Sequence, residues 1–410
     1  MLVPIVLAIL ALLIPLWVLR PFGGAFRMLV FLTIFCHLAL ILFMHVRLVR
    51  HTGSPVVYDV HEDTRVYYDK TSRFVDARPF SITIDDAIEA AMGSSHYGYQ
   101  YLLATFWTIT DDPMLAMRFF KIMLFFTGLS CLARVWRTDY GTNLAIGGFL
   151  FLGVVFTPAI YYFYRNLKDS VILSLFMLTM ALLDTLLRPK PRQLMPLTSR
   201  KIVWGWAMVF VLLYLLSTVR LYIAAIIVLA LCLQALLATG RLGIKSRVFL
   251  LIVLVLMIGY AFYSGKVTKI IELGGDTIRS GLTIFTGKGL LQAFLSPLPW
   301  GAIRYMEPLS APFYWLYWLL LPYALYCMLR HFKNNITWHL LTYLMIIYIV
   351  GIAIGDPPRK RLIVFPILVM WVIKHLSYKN SKSLIQEENE WQELSADGHI
   401  HDPDQDVTHV

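Results

Sequence analysis

Residues 27–46 read RMLVFLTIFCHLALILFMHV, and Arg27 is the only Lys, Arg, Asp or Glu in the run. A helix rises about 1.5 Å per residue, so roughly 20 residues cross the hydrocarbon core of a bilayer. The chain has 410 residues, of which 58% are hydrophobic and 15% are charged. An ordinary soluble domain is about 25% charged. The sequence therefore predicts an all-α polytopic membrane protein, since the apolar runs lack the alternation of barrel strands.

Further apolar segments on both sides of this run give about eleven predicted membrane spans. The predicted spans are residues 2–19, 27–46, 115–136, 142–163, 170–187, 202–218, 221–238, 248–263, 311–329, 336–354 and 362–377. The first segment has no basic region before it and no small-residue cleavage site, which predicts a retained span. The most basic short connector, residues 188–201, is assigned to the cytoplasm by the positive-inside rule. The 47–114 and 264–310 loops then lie on the outer face.

Composition predicts one transmembrane domain, residues 1–383, followed by an acidic, disordered cytoplasmic tail at 384–410. The net charge of +11 does not indicate nucleic-acid binding, because much of the Lys and Arg flanks apolar runs. The four cysteines lie inside apolar runs without a CxxC spacing, which is typical of small buried hydrophobes. No P-loop and no GxGxxG motif is present, so neither a nucleotide nor a redox cofactor is expected.

The first outer loop carries the densest group of acids before the tail. Residues 58–69 read YDVHEDTRVYYD and include Asp59, Glu62, Asp63 and Asp69. A carboxylate within hydrogen-bond reach can remove the proton of an attacking hydroxyl group. We interpret residues 47–114 as the active-site loop, and the alternative is a solvated connector. A divalent metal held by His61 and the neighbouring acids is a further option, so metal dependence stays open.

Polar residues on the predicted outer face are candidates for binding the substrate or its phosphate. They are Arg165, Lys168, Asp169, Arg220, Arg304, Arg359 and Arg361. Arginine binds phosphate through a bidentate fork, and an ionised residue between apolar runs is costly and usually functional. The alternatives are an ion pair between residues 165 and 169 on a helix surface, and lipid headgroup contacts at 359–361.

Four features in this order resemble a known family. An acidic pair lies in the first outer loop, and Met117-Arg118-Phe119-Phe120 begins a span. An Arg-x-x-x-Asp turn covers residues 165–169, and an Arg-x-Arg-x-x-x-x-Pro stretch covers 359–366. The layout is similar to that of polytopic C-type glycosyltransferases that use polyprenyl-phosphate sugars, such as protein mannosyltransferase-like and aminoarabinose transferase-like enzymes. It also resembles O-antigen and exopolysaccharide polymerases.

The resemblance implies a multi-pass enzyme of the bacterial inner membrane with a periplasmic active site. Its donor would be a polyprenyl-(pyro)phosphate-linked sugar, and its acceptor a hydroxyl of a glycan, lipid or protein. Glu62 or Asp63 would be the catalytic base, with Asp59 as the alternative, and the outer-face arginines would bind the lipid phosphate. The alternative functions are a repeat-unit polymerase and a lipid-linked glycan flippase or transporter. A transporter is expected to have internal repeats and charged residues deep within its spans.

Overall fold

The computed structural model describes residues 2–55, 68–69, 71–72, 75, 97–155, 168–187, 199–237, 311–331 and 362–379. Every regular element within these ranges is helical. Several predictions lie outside the described residues: the spans at 248–263 and 336–354, most of the 47–114 loop, the 264–310 loop and the acidic tail.

The helices follow the predicted apolar segments closely. They are α1 (Leu2–Val18), α2 (Gly24–Thr52), α3 (Tyr97–Ile109), α4 (Pro113–Tyr140), α5 (Thr142–Leu150), α6 (Asp169–Leu186), α7 (Ser199–Leu237), α8 (Ala311–His331) and α9 (364–379). A π-helix, Phe151–Val155, continues α5. The predicted helical class is therefore confirmed for the described parts of the chain.

Four of these helices are long and apolar enough to cross a membrane. They are Gly24–Thr52, Pro113–Tyr140, Asp169–Leu186 and the part of α7 from Arg200 to Arg220. Large apolar side chains such as Trp17 and Phe43 are exposed on the surfaces of α1 and α2, as expected for helices that face lipid. The total of about eleven spans and the C-type arrangement stay predictions.

Helix α4 is central among the described helices, because it packs against α1, α2, α3, α5 and α6. Its first turn is set by local sequence. Asp112 caps the helix by accepting a hydrogen bond from the backbone N–H of Leu115 at 2.9 Å, and Pro113 occupies the first helical position. The helix ends at Gly141, whose φ of 95° suits glycine.

Helices α4 and α6 run side by side in the same direction. Lys121, near the start of α4, is within electrostatic reach of Asp169 at the start of α6. Further along, a Cβ on Gly128 would lie 3.0 Å from the Ser174 carbonyl oxygen, so the two backbones approach closely. Small residues allow this kind of contact between membrane helices. The amino-terminal ends of α4 and α6 therefore lie at the same end of the bundle.

Helix α7 is interrupted at Arg220, which has φ −158° and ψ 92°. The sequence predicts two spans separated at this residue, and the interruption lies at the predicted boundary. The portion before it covers about 30 Å at 1.5 Å per residue, so Arg220 is a membrane thickness away from Ser199. Helix α3 packs against α7 close to the break, since Gly98 abuts the Thr218 side chain. The apolar residues 99–110 are too short to span a bilayer, which predicts an interfacial position. One face of α3 is buried against protein.

Candidate functional site

The structure describes three of the predicted site residues: Lys168, Asp169 and Arg220. Arg220 Nη1 donates to Asp169 Oδ1 at 3.0 Å, although the two residues are 51 positions apart. The side chain of Asp169 is 2% exposed and that of Arg220 is 11% exposed. Lys168, which immediately precedes α6, is also buried. The predicted residues Asp59, Glu62, Asp63, Arg165, Arg304, Arg359 and Arg361 lie outside the described residues.

The pair forms because the start of α6 lies against the break in α7. Asp169 is the first residue of α6, where the positive end of the helix dipole favours a carboxylate. Arg220 lies at the break in α7, and α7 packs against α6. The sequence alone offers Arg165 as the partner of Asp169, on the basis of four-residue spacing. The described partner comes from a different helix.

Lys121 extends this pair into α4. Its side chain is fully buried, and it interacts electrostatically with both Asp169 and Arg118. Eight residues separate Lys121 from Pro113, which is about 12 Å along a helix axis. A buried ammonium group at this depth needs nearby anions or polar groups to offset its loss of hydration.

A second group of contacts surrounds Arg118, which is also fully buried. Its Nη1 donates to Nδ1 of His45 on α2, and its Nη2 donates to the Pro55 carbonyl oxygen at 2.8 Å. His45 Nε2 lies 2.7 Å from Asp112 Oδ2. Arginine has no acceptor, so His45 must accept through Nδ1 and carry its proton on Nε2. His45 therefore donates to Asp112 while it accepts from Arg118.

Asp112 is held in its ionised form by these neighbours. Burial alone would raise the pKa of its carboxyl group. The hydrogen bonds from His45 and Leu115, together with the charge of Arg118, outweigh burial and lower the pKa below its ordinary value. A carboxylate with a lowered pKa is a weak general base at neutral pH. Asp112 is thus suited to holding its neighbours in place.

Together these residues form one group, which we call the polar cluster. Its members are His45, Asp112, Arg118, Lys121, Lys168, Asp169 and Arg220. Within the described part of the chain, the cluster holds four basic side chains and two carboxylates. It lies where α2 ends and α4 and α6 begin. A buried, cation-rich group at helix ends can bind an anion such as a phosphate.

The polar cluster does not resemble a metal site. Nowhere in the described ranges do three or more His, Cys, Asp or Glu side chains gather closely enough to hold a metal ion. The metal option raised by His61 concerns residues outside those ranges and stays a prediction.

Sequence reasoning missed several members of the cluster as site residues. Arg118 is part of the layout that resembles a known family, and the sequence pattern assigns no role to Lys121. Both are charged residues inside an apolar run, the same signal that singled out Arg220. Asp112 carries a helix-capping signal because it precedes Pro113. His45 carries no comparable signal, since a neutral histidine in an apolar helix is unremarkable.

Comparison with known proteins adds no further assignment. No family model, no curated protein and no solved structure matches this chain. The polar cluster and the acidic loop are therefore the basis on which a function can be proposed.

Proposed function

We propose that this protein is a membrane glycosyltransferase. It transfers a sugar or glycan from a polyprenyl-(pyro)phosphate donor to a hydroxyl acceptor, in the synthesis of cell-surface polysaccharide or glycoconjugate. The observation that carries the proposal is the polar cluster, in which Arg118, Lys121, Lys168 and Arg220 are gathered at one end of the helices. A lipid-linked donor keeps its tail in the bilayer, so its phosphate must be bound at such a position.

The chemistry needs two kinds of group. In the proposed step, the acceptor hydroxyl oxygen bonds to the anomeric carbon while the bond from that carbon to the phosphate oxygen breaks. The phosphate leaves with the electron pair, and cations such as Arg220 stabilise the charge that develops on it. A carboxylate takes the hydroxyl proton. We assign this last role to Glu62 or Asp63, with Asp59 as the alternative, and expect inversion at the anomeric carbon.

The carboxylates of the polar cluster are less suited to be the base. Asp169 is bonded to a guanidinium group, and Asp112 has a lowered pKa and two hydrogen-bond donors. The lowered pKa of Asp112 makes it a weak proton acceptor, and the Asp169 carboxylate is already engaged by Arg220. This supports placing the base in the acidic loop.

The test measures binding of the polyprenyl phosphate and transfer of the sugar separately. Asp59→Asn, Glu62→Gln and Asp63→Asn are introduced singly, and surface glycan is read on a gel alongside membrane expression. We expect one of them to abolish the product while the purified variant still binds a short-chain polyprenyl phosphate. Asp69→Asn is the matched control from the same loop and should retain product. Full product with all three variants would rule out a base in this loop.

A lipid-linked glycan flippase is the second candidate, because one observation favours it. Arg118 and Lys121 are the sixth and ninth residues of α4, a helix long enough to span the membrane, and both side chains are fully buried. Charged residues at such depth mark translocation pathways as well as binding sites. The sequence alone suggests that charges remain near the membrane faces, and these two residues depart from that expectation.

A transport assay in proteoliposomes distinguishes the two candidates. A fluorescent polyprenyl-phosphate sugar is placed in one leaflet, and its movement and its conversion are measured separately. A transferase with a loop base loses conversion in Glu62→Gln or Asp63→Asn. A flippase moves the lipid in both variants and shows no conversion at any stage.

A further inference from the structure

The chain between Pro55 and Tyr97 is tied to the helical bundle at its first residues. Arg118 Nη2 donates to the Pro55 carbonyl oxygen at 2.8 Å, just beyond the end of α2. The end of α2 is itself well defined, because Gly53 has a φ of 66° and its N–H bonds to the Val49 carbonyl. The path of the chain is therefore fixed as it leaves the helix.

The same contacts join the two sides of this segment. His45 lies on α2, before the segment, and Asp112 caps α4, after it. The 2.7 Å contact between His45 Nε2 and Asp112 Oδ2 connects the two flanking helices directly. Arg118 bonds to both His45 and Pro55, so one guanidinium group links the helix before the segment to the first backbone atoms of the segment.

We propose that Arg118 is a positioning residue, which acts with His45 and Asp112 to fix where the acidic segment leaves the membrane domain. A residue that served only to hold α2 against α4 would need no bond to the Pro55 carbonyl. Arg118 uses a separate nitrogen for that bond while its side chain is fully buried. The consequence for catalysis depends on the proposed function, whereas the tether itself does not.

The hydrogen-bond roles of His45 provide a conservative replacement. His45 accepts at Nδ1 and donates at Nε2. A glutamine also offers one acceptor and one donor at a similar separation, so His45→Gln can keep both contacts. His45→Phe fills a similar volume and keeps neither. The two variants therefore differ in hydrogen bonding more than in packing.

The experiment is limited trypsin digestion of the full chain in nanodiscs, where both faces are accessible. Cleavage after Arg65, ten residues beyond Pro55, reports on the tethered segment. Cleavage after Lys70 and Arg73 is recorded separately, because Thr71 and Val75 are buried and Tyr68 packs on Trp107. Cleavage after Arg192 reports on the connector before α7, which serves as the internal control. The variants are Arg118→Lys, His45→Phe and His45→Gln, and Arg134→Lys on the exposed side of the same helix is the matched control.

We expect Arg118→Lys and His45→Phe to speed cleavage of the tethered segment by about tenfold or more, because each loses a hydrogen bond to a charged group. Cleavage of the connector should not change, and His45→Gln should behave like the wild type.

Parallel acceleration at both segments would mean that the contacts only stabilise the bundle, and would overturn the proposal. Unchanged cleavage, or failure of His45→Gln to restore protection, would also overturn it. No substrate is needed, so a wrong assignment of the enzymatic function leaves this test intact.

Discussion

Removal of the Asp169 charge should destabilise the protein more than removal of the Arg220 charge, although the two residues form one ion pair. Arg220 Nη1 and Asp169 Oδ1 are 3.0 Å apart. At an effective dielectric constant of about 20, this separation corresponds to roughly 5 kcal/mol of Coulomb attraction. Breaking a buried pair by removing one partner typically costs about 3–5 kcal/mol. The two single variants leave different buried groups without their ion-pair partner.

Asp169→Asn leaves both Arg220 and Lys121 without their shared carboxylate. It should therefore lower the free energy of unfolding by about 3–5 kcal/mol. Arg220→Gln leaves Asp169 buried, but Lys121 still interacts with it. Its cost should be smaller, about 1–3 kcal/mol. The double variant should cost less than the sum of the two, because the pair is coupled.

The free energy of unfolding is measured by titrating sodium dodecyl sulfate into mixed detergent micelles, with helical circular dichroism as the signal. Wild type, both single variants and the double variant complete the cycle. Equal costs for the two single variants, or a strictly additive double variant, would refute the view that Asp169 serves two cations. Arg134→Lys, on the exposed surface of α4, should leave the unfolding curve unchanged.

Two further predictions concern α4. Because the pKa of Asp112 is lowered, its charged form contributes stability above about pH 4, and the contribution is lost as pH falls through the folded-state pKa. The difference in melting temperature between wild type and Asp112→Asn should be largest at pH 6–8 and shrink below about pH 4. Gly128→Ala should lower the free energy of unfolding by about 1–3 kcal/mol, since the new Cβ would lie 3.0 Å from the backbone oxygen of Ser174. Gly147→Ala, with nothing within 4 Å, should leave the melting temperature equal or slightly higher.

The helices could be predicted from the sequence because each depends on local composition. Apolar runs of membrane length gave the helical class, and the start of α6 was predicted within one residue. The predicted end of α2 was less accurate. The predicted span stops at residue 46, where charges begin, but the helix continues to Thr52. A membrane span ends where burial in lipid ends, whereas a helix ends where its hydrogen bonds end, here at Gly53.

The contacts within the polar cluster could not be predicted in the same way. Asp169 bonds to Arg220 and His45 bonds to Arg118 because of how the helices are rotated about their axes and packed. The rotation of each helix about its axis is set by tertiary contacts, such as the close approach at Gly128. No local sequence pattern predicts this rotation. Residue type could still have helped. Lys121 lies inside an apolar run, and the cost of a charge there is a reason to expect a partner.

The position of Lys121 also has a consequence for biogenesis. Its carboxylate neighbour, Asp169, is 48 residues later in the chain, which is roughly 2–10 s of synthesis at about 5–20 residues per second. During that interval α4 carries Lys121 before Asp169 exists, whereas His45 and Pro55, the partners of Arg118, are already synthesised. A cation at the centre of a helix costs about 3 kcal/mol during insertion by the translocon, and Lys121, nearer the start of α4, should cost less than this. Stable integration of α4 should therefore wait for α6, so that the two helices leave the translocon as a pair.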